Sequence, residues 1–366
     1  MNARLMAIVS FLALAMICAA ATPVIAAVRI FKLDAVELVK NGKEVDGDKK
    51  HTVVRDGYTY HFASAENKAA FEADPTRFEV QMGGACARMG PLSGSGNPNL
   101  FAVHDGRLYV FASPQCKAGF LKAPEKLIEK DDPSVKGDAA AMKRGQELLE
   151  LAMRAHGGAA AIDAAKSYRQ IRETVVTQGG AKYDYKYTTT IAFPDRIHDE
   201  FCWNDNCSWQ TVDGSKGADW TGSGFDRPLA ASQVRAVKRK VNVNLLSILK
   251  TRGRAGFAAA KVGEEKVGDS KVERVGVSID GWTWILGVDS VSGRVRTLEY
   301  TGRGERDMIG NIVLTFVDYE TAGGLTLPVS WSTSFDGKPG KEPIKLSKIE
   351  INAKIDDKLF AVDEPK

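Results

Sequence analysis

Apolar and polar residues alternate with a period of two through most of the chain beyond Tyr168, the spacing of strands with one buried face. The segment 182–193 is the clearest. Tyr183, Tyr185, Tyr187, Thr189, Ile191 and Phe193 fall on one side, and Lys182, Asp184, Lys186 and Thr188 on the other. In 325–335, Leu325, Leu327, Val329, Trp331 and Phe335 alternate with Thr326, Ser330, Ser332 and Ser334. The same pattern predicts strands at 196–203, 206–213, 272–279, 282–288, 294–300, 311–319 and 343–352. Turn pairs separate them: Asp213-Gly214, Asp280-Gly281, Ser292-Gly293, Gly323-Gly324 and Asp336-Gly337. Successive one-faced strands predict a large antiparallel sheet.

Two segments change period. In 138–156, Met142, Leu148, Leu149 and Ala152 make a helical stripe, with Asp138 at the N-cap and Gly157-Gly158 at the end. In 231–250, Val234, Val237, Val241, Leu245, Ile248 and Leu249 recur at spacings of three and four, which predicts one helix. These helices are available to cover the sheet. The second segment and its flank carry Arg235, Lys238, Arg239, Lys240, Lys250, Arg252 and Arg254, a basic face that is either solvated or suited to an anionic membrane surface.

Ahead of the strands one pattern is written twice. VRDGYTYHFASAENKAAFEADPTRF (54–78) and VHDGRLYVFASPQCKAGFLKAPEKL (103–127) agree at 11 of 25 positions. Each copy predicts a β-hairpin, then a helix capped by Ser64 or Ser113, so one unit is built twice. Asn67 of the first copy is Cys116 of the second. The polar stretch 128–139, with Pro133 and Gly137, reads as a linker.

A chain of 366 residues is long for one core, so two domains are expected. Net charge is +4 with 26% charged residues, which gives no sign of a nucleic-acid binder. Residues 1–26 read as a signal peptide: Arg4, the apolar run LMAIVSFLALAMICAAA, then Val24-Ile25-Ala26. Ile17 before Cys18 is too large for a lipidation site. The mature protein is therefore expected to be exported, periplasmic or secreted, and soluble.

Cleavage would leave Cys86, Cys116, Cys202 and Cys207, an even number in an exported chain. Cys202 and Cys207 enclose Trp-Asn-Asp-Asn between two predicted strands, so a hairpin would set them opposite each other and a structural disulfide is predicted. Cys86 and Cys116 leave three readings open: a disulfide, a soft-metal site, or free thiols. Met82 and Met89 flank Cys86, and His104 lies in the same region; Cys, Met and His together are ligands for copper or zinc.

DGYTYHFASAENKAAFEADPTRFEVQMGGACARMG, followed by NPNLFAVHDGRLYVF, resembles the secreted form of the YHS domain over roughly 32–127. The resemblance implies a small α+β module related to heavy-metal-binding, treble-clef-like modules. Metal-associated members of that family carry F-C-S-x-x-C, where this chain has Ala63 and Asn67 in one copy and Ala112 and Cys116 in the other.

AHGGAAAIDAAKSYRQI, VDG (212–214), VDSVSGRVRTLEY and the closing KIEINAKIDDKLFAVDEP are similar to the periplasmic lipoprotein-carrier superfamily of the LolA/LolB type over roughly 140–366. That resemblance implies a strongly curved antiparallel sheet, an incomplete barrel closed by helices, with lipid or acyl chains held in its apolar hollow. Tyr183, Tyr185, Tyr187, Phe193, Trp282, Trp284, Trp331 and Phe335 are the residues expected to line it.

Nothing in the sequence assembles a catalytic centre. The histidines are His51, His61, His104, His156 and His198, none in H-E-x-x-H; Ser93 sits in no nucleophile elbow; Gly302-Arg303-Gly304 lacks a third glycine. The expected fold class is α+β: a duplicated hairpin-and-helix domain at 30–127, then a half-barrel domain at 140–366. The expected function is non-enzymatic binding of a hydrophobic small molecule or an acyl chain, with metal handling or a ligand-free scaffold as alternatives and no nucleic-acid partner.

Overall fold

In the computed structural model, which describes residues 29–178, 180–222, 224–304, 307–340 and 342–363, the two sequence repeats fold alike. The export segment read at 1–26, with Cys18, lies outside the described residues. β1 (Arg29–Phe31) and α1 (Ala35–Asn41) lead into the hairpin β2 (Asp48–Arg55) and β3 (Tyr58–Phe62), then α2 (Ala65–Ala73) and the short α3 (Pro75–Phe78). The second copy is β4 (Asn97–His104), β5 (Arg107–Phe111) and α4 (Pro114–Lys122). Both hairpins turn on Asp-Gly with positive φ at each residue, Asp56-Gly57 and Asp105-Gly106, the conformation that matches strand twist. Both helices are capped by serine: Ser64 Oγ accepts from the Asn67 N–H and Ser113 Oγ from the Cys116 N–H, each at 3.2 Å. Phe62, Phe71, Phe111 and Phe120 fill the two cores with no exposed surface.

Residues 128–138 carry no regular element but are tied down. The Asp132 N–H donates to Gly281 O and the Val135 N–H to Ser278 Oγ. The chain continues through α5 (Ala139–Ala155) and α6 (Ala159–Ala164) into β6 (Ser167–Gln178), β7 (Ala181–Ala192), β8 (Arg196–Trp203), β9 (Asn206–Asp213), β10 (Lys216–Thr221) and β11 (Gly224–Pro228). After α7 (Ala231–Val241) and α8 (Leu245–Lys250) come β12 (Ala258–Val267), β13 (Ser270–Ile279), β14 (Trp282–Asp289), β15 (Val295–Arg303), β16 (Ile309–Ala322) and β17 (Leu325–Phe335). The short β18 (Lys338–Pro339), β19 (Ile344–Lys345) and β20 (Lys348–Ile351) end it.

The strands form two sheets. One is seven-stranded, β11-β10-β9-β8-β7-β6-β20; the other runs β12 to β18, with β19 also on β17. Every pairing in both is antiparallel, and neither closes on itself. A single sheet was expected, but residues 229–257, with both helices, separate β11 from β12. A continuous apolar core joins Tyr168, Ile191, Ile197 and Val212 of the first sheet, Val234 and Val237 of α7, and Val275, Leu286, Leu298 and Leu314 of the second. Gly145 of α5 lies against the backbone of Ala260, where a Cβ would come within 2.5 Å. That contact is the reason for a glycine inside the helix.

Two helical expectations need correction. The helix read at 231–250 breaks in two, because Asn244 turns its side chain back to cap α8, accepting from the Ser247 N–H at 2.9 Å. Its basic face is not free. Arg235 pairs with Asp131, Arg239 with Asp132, Lys240 with Asp199, Arg252 with Asp163 and Arg254 with Asp280. Those pairs fasten the helices to the linker, to α6 and to the sheets, while Arg235, Lys240 and Arg254 stay 43%, 58% and 58% exposed, so the face is both paired and solvated.

Candidate ligand cavity

The packing of the two sheets is incomplete at one end. α7 and α8 plug the space between them as far as Val241, Leu245 and Leu246, and beyond these lies a cavity of about 990 Å³. That is at the upper end of the range for small-molecule sites, about 300–1,000 Å³.

Its two walls differ in chemistry. The wall from β15, β16 and β17 is mainly apolar, with Arg303 at its outer end. Tyr300, Ile312 and Phe335 stand in one cross-strand row, and Phe316 faces Trp331 in another. The hydroxyl of Thr333, beside Leu314, is buried without a hydrogen bond. Burial pushes the Tyr300 phenol up to about 12, so it stays neutral.

The opposite wall belongs to the seven-stranded sheet, and its register sorts residues into rows. The innermost row, Tyr168, Ile191, Ile197 and Val212, is buried under α7. The next row out is polar across six strands: Gln170, Thr189, Asp199, Gln210, Asp219 and Arg227. All six line the cavity. Its charges are matched. Asp199 accepts from Thr189 Oγ1 at 2.7 Å and Lys240 Nζ at 2.6 Å, and Asp219 accepts from Arg227 Nε at 2.9 Å. The third row holds Arg172, Tyr187, Phe201, Ser208 and Thr221. There the Arg172 guanidinium lies 4.2 Å from the Tyr187 ring centre. From the repeat domain, Leu92, Ser93 and Gly94 reach the rim, held in part by Gln233, whose Nε2 donates to Pro91 O at 2.9 Å.

Of the aromatic residues expected to line a hollow, Tyr187, Trp331 and Phe335 do so. Tyr183 and Tyr185 share a face with Tyr187 but lie further out, against Trp203 and Phe201 at 5.6 and 5.5 Å. Phe193 packs under Lys250, Trp282 under Arg235, and Trp284 is 3% exposed in the core. The polar row was not foreseen, although the alternation in 182–193 places Thr189 on the same side as Tyr187. Period-two reading followed the aromatic residues and passed over the polar ones between them and the core.

Cys202 and Cys207 are disulfide-bonded, directly opposite each other in the β8–β9 hairpin with Cα atoms 4.0 Å apart. Glu200 lies beside them, the one His, Cys, Asp and Glu cluster dense enough for a metal among the described residues, but both sulfurs are spent in the bond. Cys86 and Cys116 are free thiols that share one small core. Burial pushes the Cys86 thiol up, while its Sγ accepts from the Ala112 N–H at 3.3 Å. Met82 packs in the same small core; Met89 is 45% exposed, and His104 lies edge-on to Phe120 beside Asp105.

The first repeat shows what replaces the thiols. Asp34 Oδ2 accepts from the Ala63 N–H at 2.7 Å and from Asn67 Nδ2 at 2.8 Å. Ala63 and Asn67 correspond to Ala112 and Cys116, so the Asp34 carboxylate occupies the place that Cys86 Sγ takes in the second copy.

No family model matches the sequence, and no curated protein matches it. Among solved structures the chain is similar to a DUF1329 family protein from Desulfovibrio piger, at 12% identity and a TM-score of 0.39, covering 59% of this chain and 97% of that one. It is similar to a LolA superfamily protein from Nitrosomonas europaea at 12% identity and a TM-score of 0.38, again over 59% of this chain and 97% of the other.

Proposed function

We propose that the protein is an exported, non-enzymatic binding protein that encloses an amphiphilic molecule between its two sheets. The observation that carries this reading is the 990 Å³ cavity with one apolar and one polar wall. An acyl chain against Tyr300, Ile312, Phe316 and Trp331 would bury apolar surface at about 0.8 kcal/mol per methylene. The polar row would face the less apolar side of the guest. Export is supported by the sequence pattern of residues 1–26 and by the Cys202–Cys207 bridge, which suits an oxidising compartment. No helix among the described residues is long and apolar enough to cross a membrane.

The test is native mass spectrometry of protein recovered from the periplasm, with uptake of a fluorescent fatty acid. Thr333→Phe should fill the cavity from a position whose hydroxyl already lacks a partner, lowering dye uptake at least tenfold with the melting temperature preserved. A ligand-free protein that takes up no dye would count against the reading.

The placing of two free thiols, Cys86 and Cys116, in one small core favours a second reading for the repeat domain: capture of a soft cation, copper or zinc, between two sulfurs. Anaerobic titration with Cu(I) or Zn(II) checks it. One equivalent should bind the wild type and none the Cys116→Ala variant.

A further inference from the structure

The cavity wall carries three arginines, Arg172, Arg227 and Arg303. Two are held by acids: Arg227 by Asp219 at 2.8 Å, with its Nη1 still buried and unmatched, and Arg303 by Glu129 at 2.8 Å. The Arg172 side chain has no hydrogen-bond or ion-pair partner among the described residues, and its Nε is buried without a hydrogen bond. A buried guanidinium N–H left unmatched is costly, since it has lost water and gained nothing. Glu200 also lines the cavity but lies beside the Cys202–Cys207 bridge, and three other acids near Arg172 in the strand order are committed elsewhere. Glu173 pairs with Lys186 at 3.7 Å, Glu350 with Arg169 at 3.2 Å, and Asp199 with Lys240 at 2.6 Å. The Tyr187 ring supports the guanidinium plane from one side, which limits the orientations of its N–H fork.

We propose that Arg172 is the head-group position of this cavity, and that the guest is an amphiphile with an anionic head, a carboxylate or a phosphate. The inference rests on the cavity reading above and specifies its ligand. A guanidinium presents two parallel N–H groups to a carboxylate or phosphate, which no neutral head can match. The geometry also sets the guest's direction. Its head would lie in the outer row of the seven-stranded sheet, at Arg172 and Tyr187, and its chain would run inward along Ile312, Leu314 and Phe316 toward Leu246.

The experiment compares three probes with one chain length: hexadecanoate, hexadecyl phosphate and hexadecanol. Each displaces a fluorescent fatty-acid reporter from the wild type, Arg172→Gln and Arg172→Lys, with circular dichroism confirming that all three fold. The wild type should prefer both anions over the alcohol by about tenfold, equivalent to about 1.4 kcal/mol. Arg172→Gln should erase the preference, lowering the affinity for both anions by far more than that for hexadecanol. Arg172→Lys should keep part of it, because it keeps the charge and loses the fork. A carboxylate preference without a phosphate preference, or the reverse, identifies which head the site takes and supports the proposal. If hexadecanol binds as well as the anions, or Arg172→Gln keeps the preference, the head-group assignment falls while the cavity reading stands. If no probe binds the wild type, both fall together.

Discussion

Replacing Asp34 tests whether the repeat domain is organised around a buried carboxylate. The residue has no exposed surface and accepts four hydrogen bonds. Val36 N at 2.8 Å and Glu37 N at 3.1 Å make it the N-cap of α1. Ala63 N at 2.7 Å and Asn67 Nδ2 at 2.8 Å tie that cap to the second hairpin strand and to α2. In Asp34→Ala the lost cap costs about 1 kcal/mol. The Ala63 N–H loses its acceptor, worth about 1–3 kcal/mol for a buried group. Asn67 keeps a bond to Glu37 Oε1 at 3.2 Å, so its loss is partial. The sum is about 3 kcal/mol, a large fraction of a domain's stability of about 5–15 kcal/mol. Asn67→Ala removes one donor and leaves the cap and the Ala63 contact, so it should cost about 1 kcal/mol. The readout must report on residues 29–127, and every tryptophan lies at 203 or beyond. Native-state hydrogen exchange with peptide resolution is therefore the assay, with tryptophan fluorescence as the internal control. A cost below 1 kcal/mol for Asp34→Ala, or equal costs for both variants, would refute the reasoning.

Burial lowers the His198 pKa from 6.5 to about 4, so this side chain is neutral in the fold and takes a proton in the unfolded chain at about pH 6.5. Its contribution is complete above pH 6.5 and is lost as the pH falls toward 4, by about 3 kcal/mol; urea unfolding across that window should show a steeper loss in the wild type than in His198→Asn. His156 acts in the same direction, its ring buried between Thr326 O and Val295 N, and His156→Gln should reduce the acid loss further in the same titration. Removing the hairpin disulfide by Cys202→Ser with Cys207→Ser should cost about 2 kcal/mol, the chain-entropy value for so short a loop, and a change below 0.5 kcal/mol in chemical unfolding would contradict it.

What the sequence disclosed follows the strength of each local signal. β7 and β17 have strict alternation and aromatic residues, and β7 falls within one residue of its expected limits while β17 matches them. β12 begins Ala-Ala-Ala-Lys and has no β-branched run; only its pairing with β13 makes it a strand. β6 reads Ser-Tyr-Arg-Gln-Ile-Arg-Glu-Thr, and its inward side carries Gln170 and Arg172 because it faces a cavity instead of packed side chains. A search for apolar alternation passes over such a strand. Alternation predicts one sheet where there are two because it reports a strand's faces and not its neighbours. The division lies at 229–257, where the chain crosses over through α7 and α8, and the predicted single helix concealed the turn at Asn244 that makes the crossing. The sequence leaves the thiol pair open because its geometry depends on the packing of Cys86 against α4, some 30 positions away in the chain.

The mismatch between the walls explains why the space persists. Apolar faces pack to close contact, as the inner row of the seven-stranded sheet does under α7. Here closure would press Gln170, Thr189, Gln210 and their neighbours against Ile312, Leu314 and Phe316, stripping water from polar groups with nothing to replace it. The polar row therefore holds the sheets apart, and a guest with an apolar chain and a polar flank satisfies both. Gln210 allows this to be tested cleanly, since its side chain makes no hydrogen bond among the described residues and its removal orphans no partner. Gln210→Leu should let the walls approach, raising stability by about 1 kcal/mol through added apolar burial and weakening amphiphile uptake. Both effects must appear together, because both arise from one closure. A variant that loses 1 kcal/mol or more of stability while taking up ligand as before would show that something other than the polarity of this wall keeps the cavity open.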